Sequence, residues 1–174
     1  MLLVLGARAV MRTRHLLSDV GLAAGRGAAA TLRAWAALTL APIAIAGLYL
    51  LIVKHSPTLR EIALRWARSD LSAVGAGAAV WVILLAVVAA PLCEELIFRG
   101  MIFRGLRKGY GRWLSILAGA FLFAVVHPPI SFVPVFALGI FAALAFEYSD
   151  AVWSGMLVHA SYNAAVLLMQ PILQ

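Results

Sequence analysis

Two adjacent carboxylates, Glu94 and Glu95, close a run of 23 uncharged residues from Leu71 to Cys93, and Arg99 stands four residues after Glu95. About 20 apolar residues are enough to cross a bilayer as a helix, and Met101-Ile102-Phe103 resumes the apolar run before Arg104. All three ionisable groups are therefore expected inside the membrane-embedded part of one long helix. A charged side chain at that depth costs about 2.5–3.5 kcal/mol on insertion scales, so it normally faces a protein interior or a watery cavity and marks a functional site. On a helix Glu95 and Arg99 share a face, with the acid on the N-terminal side, the favourable order for a pair. Glu94 points about 100° away and has no partner in its own helix. It is the carboxylate left free for chemistry.

Three further polar residues interrupt later apolar runs: His127, His159 and Asn163. Glu94 precedes the basic turn Arg104, Arg107, Lys108 and Arg112, and His127 follows it. At about 1.5 Å per residue both lie roughly 20 Å from that end. His159 and Asn163 are four apart and share a helix face. They lie about 13 and 19 Å in from the turn Glu147 to Asp150. If that turn is on the same side as the basic one, all four residues converge in one intramembrane pocket. Polar residues gathered at matched depth in so apolar a chain would be costly as packing alone, so they are read as a functional site. No serine or cysteine stands as a nucleophile beside the histidines. Cys93, next to the glutamates, is read as a small apolar wall residue.

Hydrophobic residues make up 64% of the 174 and charged ones 12%, against about 25% charged in soluble domains. The chain is therefore expected to be an all-α, polytopic integral membrane helix bundle. Its net charge of +7 gathers at the ends of apolar runs rather than along one face, which fits membrane topology and not a nucleic-acid partner. A single cysteine excludes an internal disulfide and any multi-cysteine metal site. Leu2 to Leu5 precede Arg8, Arg12 and Arg14, the reverse of a signal peptide's order, so no cleaved leader is expected.

About five membrane-embedded helices and one interfacial helix must position the polar residues. Residues 1–33 form a basic N-terminal arm, and residues 34–174 a single transmembrane domain. Ala34 to Val53 spans, bent by Pro42. Lys54 to Asp70 holds a short interfacial helix, with Thr58 and Glu61 in capping-box spacing and Leu59, Ile62 and Trp66 on its apolar face. The long helix runs from about Leu71 to Leu106, with Pro91 freeing the carbonyl of Val87. Trp113 to Val126 ends at His127-Pro128-Pro129, Phe132 to Phe146 leads to the Glu147–Asp150 turn, and Ala151 to Met169 closes the bundle. Gly139 and Ala143 have small-xxx-small spacing. The basic turn marks a cytoplasmic side, which puts the N-terminus there.

Glu94-Glu95-x-x-x-Arg99, Phe123-x-x-x-His127 and His159-x-x-x-Asn163, in that order, resemble the three motifs of the CAAX prenyl endopeptidase and bacteriocin-processing family of glutamate-type intramembrane proteases. The resemblance covers about residues 71–170. It implies that Glu94 and His127 activate a water, that His159 and Asn163 stabilise the oxyanion, and that Glu95, Arg99 and Phe123 shape the site. It also implies a hydrolase of the bacterial inner membrane that cleaves a membrane-associated protein or peptide without a cofactor. One enzymatic alternative is a zinc protease with Glu94, His127 and His159 as ligands. Another alternative is a non-catalytic immunity protein that binds a peptide, or a proton-coupled carrier.

Overall fold

The computed structural model of the chain describes residues 21–22, 25–66 and 76–173. The expected arm's Arg8, Arg12, Arg14 and Asp19, the linker's Arg68 and Asp70, and the first five residues of the long apolar run lie outside them. Among the described residues the fold is all-α, with no strand. Four stretches are long and apolar enough to cross a membrane, Ala28–His55, Gly77–Gly109, Pro129–Ser149 and Val152–Met169, and Arg112–Val125 is a shorter apolar helix.

The first span is two helices, α1 (Ala28–Leu38) and α2 (Leu40–His55). It begins six residues before the expected Ala34, because Arg33 is exposed and an arginine near a helix end can carry its charge to the interface without ending the helix. The break falls at Thr39, three residues before Pro42. Thr39 Oγ1 donates to Trp35 O at 2.6 Å, and the ring of Pro42 conflicts with the carbonyl four residues back, that of Leu38.

Helix α3 (Pro57–Trp66) is capped by Ser56, whose Oγ accepts from Leu59 N–H at 3.5 Å, and not by the expected Thr58. Proline is well suited to the first helical position, so Pro57 moves the start two residues upstream of the Thr58–Glu61 spacing. The face that packs on the bundle is also different. Ala63 is buried and Leu59 joins it against Val53 and Ile130, whereas Ile62 points outward. An interfacial helix has bundle on one side and lipid on another, so an apolar residue need not face protein.

Helix α4 (Gly77–Gly109) carries the paired glutamates. Helix α5 (Arg112–Val125) ends before His127, and α6 (Phe132–Ser149) follows a short turn, Pro129–Ser131. Helix α6 runs three residues past Phe146, so the expected polar turn is mostly its last turn. It stops at Asp150, whose φ of 55° is left-handed, a conformation aspartate tolerates better than most residues. Helix α7 (Val152–Met169) completes the bundle.

Helix α6 is central and packs on α1, α2, α5 and α7. Ion pairs fix one end. Arg104 meets Asp150 at 3.0 Å, Arg107 meets Glu147, and Arg112 lies 3.8 Å from Glu147. The polar turn is thus on the same side as the basic one, the condition under which the four polar residues converge. The start of α1 is tied to this end as well: Arg26 N–H donates to Ser149 O at 2.8 Å and Trp153 Nε1 to Leu22 O at 3.0 Å. At the opposite end Tyr49 Oη donates to Ile130 O at 2.6 Å, which ties α2 to the turn after His127.

Helices α5 and α6 cross at Gly139. A Cβ there would lie 2.8 Å from Ala120 Cα, closer than real contacts allow, so only glycine permits this approach. Gly139→Ala is expected to force the helices apart at a cost of about 1–3 kcal/mol, the range for overpacking. Thermal unfolding in a neutral detergent reads it as a lowered midpoint.

Candidate active site

Helix α4 departs from α geometry on both sides of the glutamates, with π-helical segments at Leu85–Ala89 and Leu96–Phe103. Such segments are rare and often accompany functional sites. Ala90 N–H bonds to Leu85 O, five residues back. In that register the next donor, the N–H that Pro91 lacks, would have served Ala86 O. The orphaned carbonyl is therefore that of Ala86, one residue before the expected Val87, because Val87 is the partner only in α register. Asn163 Nδ2 donates to Ala86 O at 2.7 Å. A proline on one helix thus creates the acceptor that orients an amide on another.

Glu95 is fully buried. Its Oε1 lies 2.8 Å from Arg99 Nη1 and 3.0 Å from His159 Nδ1. Arg99 Nη2 donates to Gly139 O at 3.2 Å, and its guanidinium lies 4.6 Å over the Phe123 ring. A buried carboxylate needs charged and hydrogen-bonding partners of this kind. Glu95, paired with a guanidinium, can only accept, so the proton between it and His159 belongs to Nδ1.

His127 is oriented in the same way. Its Nδ1–H donates to Phe123 O at 2.7 Å, leaving Nε2 as an acceptor in the neutral ring. Nε2 faces Glu94 Oε2 at 3.6 Å, and His159 Nε2 reaches the same oxygen at 3.9 Å. Neither distance is a hydrogen bond. Glu94 Oε2 is buried and has no protein hydrogen-bond partner.

The site thus gathers all seven residues singled out in the sequence. Phe123, fully buried, is its hub, with ring centroids 4.7 Å from His127, 5.4 Å from His159 and 4.9 Å from Phe98. Glu94 and His127 are 29% and 24% exposed at the side chain against 3% for His159. The accessible edge of the site is therefore the Glu94–His127 edge. Asn163 enters through Ala86 rather than through a contact with the histidines. Cys93 is exposed. Among the described residues no group of three His, Cys, Asp or Glu side chains has the geometry to hold a metal ion.

Two glycines complete the site without having been marked for it in the sequence. Gly139 supplies the carbonyl for Arg99, and Gly155 leaves room for Glu95, since a Cβ there would lie 2.5 Å from Glu95 Oε2. The only sequence signal for Gly155 is its position four residues before His159, on the same helix face.

The chain belongs to the Rce1-like family of type II CAAX prenyl endopeptidases, whose family profile matches residues 76–165, just over half of the 174. That span includes every residue of the site. Two curated proteins are similar. UPF0177 protein YbdI of Lactococcus lactis is 30% identical over 95 residues, 53% of this chain and 51% of that protein. "Putative membrane peptidase YdiL" of Bacillus subtilis is 26% identical over 89 residues, 51% of this chain and 36% of that protein. The chain thus covers half of the first relative's length and about a third of the second's. No solved structure matches it significantly.

Gly155→Ala is expected to displace the Glu95 carboxylate and lengthen its contacts with Arg99 and His159. The loss, about 1–3 kcal/mol by overpacking, is measurable as a fall in the unfolding midpoint, whereas alanine at Gly77, where a Cβ meets nothing within 4 Å, does not lower it.

Proposed function

We propose that the chain is an intramembrane endopeptidase that hydrolyses a peptide bond of a membrane-associated protein or peptide with water activated by Glu94 and His127. The observation that carries this reading is the meeting of two acceptors, Glu94 Oε2 and the His127 Nε2 lone pair, 3.6 Å apart, on two side chains that are partly exposed although Oε2 itself is buried and without a protein hydrogen-bond partner. Two acceptors face each other favourably when a donor lies against both, and a water has two protons to give. Donating both leaves its oxygen electron-rich for attack on a carbonyl, and the imidazole can pass the proton on to the leaving amine.

His159 and Asn163 are the donors for the oxyanion. With Nδ1–H committed to Glu95, His159 donates from Nε2 only when it carries a second proton. Asn163 has a second amide N–H beyond the one given to Ala86 O. Glu95, Arg99 and Phe123 hold these groups in place and do not touch the substrate. The family and the name of the Bacillus subtilis relative support peptidase chemistry. The reading takes the protein to lie in a bacterial cytoplasmic membrane with the Arg104–Arg112 end and the N-terminus on the cytoplasmic side, which the basic residues at that end support.

The test compares membrane peptidomes of cells carrying the wild type, Glu94→Gln and His127→Ala. A fragment made by the wild type is expected to fall about 10²–10⁴-fold in both variants, the worth of a general base. Wild-type levels of every fragment in both variants would overturn the reading. Cleavage that persists in purified membranes with a zinc chelator separates this mechanism from the zinc alternative, which requires its loss and its return with zinc.

A further inference from the structure

At the basic end, away from the catalytic residues, a groove of about 330 Å³ opens between α1, α6 and the start of α5. Arg33, Arg112 and Tyr148 stand at its mouth, and Ala37, Leu38 and Leu144 form its apolar floor. Helix α1 runs away from the basic end and α6 runs towards it. Leu38, five residues after Arg33, and Leu144, four before Tyr148, therefore both lie deeper in the bilayer, by about 6–8 Å at 1.5 Å per residue. The groove thus grades from cationic to apolar along the membrane normal.

The cations there retain donors. Arg33 is exposed and, among the described residues, takes part in no ion pair. Glu147 is held closely by Arg107, and Arg112 approaches it only at 3.8 Å through Nε, which leaves the Arg112 terminal nitrogens available. The Arg112 guanidinium lies 5.3 Å from the ring of Trp113, and Trp113 is 62% exposed, the placement of an aromatic anchor at headgroup level. Two guanidinium forks match the oxygens of a phosphodiester, and the apolar floor beneath them fits an acyl chain.

We infer that the Arg33–Arg112–Tyr148 groove is a binding site for the phosphate headgroup of an anionic phospholipid, with an acyl chain along Ala37, Leu38 and Leu144. The sequence of the groove, charge first and apolar surface deeper, follows the lipid from phosphate to chain. A soluble phosphate satisfies only the upper part of it.

The full chain in a neutral detergent is unfolded thermally with added phosphatidylglycerol, with diacylglycerol of the same chains, or with inorganic phosphate. Only phosphatidylglycerol is expected to raise the midpoint, by about 3 °C near tenfold saturation. The double variant Arg33→Gln/Arg112→Gln loses that rise, and so does Ala37→Leu, which fills the floor and keeps both arginines. Arg65→Gln, at the opposite end, keeps it. An undiminished rise in both groove variants overturns the inference. So does an equal rise with diacylglycerol, which would mean apolar contact alone, or with inorganic phosphate, which would mean a soluble anion site.

Discussion

A carboxylate with no exposed surface, Glu95, is held between the guanidinium of Arg99 and the imidazole of His159, and most of the bundle's local structure answers to it. Burial of a charge in so apolar a chain needs compensating partners, and these gather on Oε1, while Oε2 is buried without a hydrogen-bond partner. Arg99 comes from the same helix, His159 from α7, the carbonyl of Gly139 from α6 and the Phe123 ring from α5. Four helices thus converge on one ion pair. The glycines at 139 and 155 are required because the helices must come close enough to bring backbone and carboxylate within reach.

The same network divides the two glutamates. Glu95 uses Oε1 for both its partners and thereby fixes the His159 tautomer, so His159 presents Nε2 to Glu94. Phe123 O does the equivalent for His127. Two imidazoles oriented by separate acceptors therefore point at one carboxylate oxygen, and that oxygen has no protein partner. The ion pairs at the basic end and the Tyr49–Ile130 bond at the other fix the register of the helices that carry these groups.

Much of this was legible in the letters. Helical spacing paired Glu95 with Arg99 and His159 with Asn163, and counting residues from the basic turn placed Glu94 and His127 at one depth. Spacing could not show the π register of α4, because it is a property of backbone bonding, and so the orphaned carbonyl moved from Val87 to Ala86. Gly155 carried no signal beyond its spacing from His159, because its role is an approach between helices far apart in sequence. Local signals also misled where two competed. Pro57 favoured a cap at Ser56 over the Thr58–Glu61 spacing, and Ile62 was free to face lipid. The first span starts at Ala28 because a charge such as Arg33 ends an apolar run in the sequence without ending a helix at the interface.

The central claim is that the adjacent carboxylates have separate duties, Glu95 in holding the bundle and Glu94 in chemistry. Thermal unfolding of Glu94→Gln against Glu95→Gln, in one detergent, tests it most directly. Glu95→Gln strands a buried guanidinium and is expected to cost about 3–5 kcal/mol, whereas Glu94→Gln, which gives an unpartnered oxygen's place to an amide, should leave the midpoint within about 1 kcal/mol of wild type. Equal losses in the two variants, or a Glu95→Gln protein as stable as the wild type, would contradict the account.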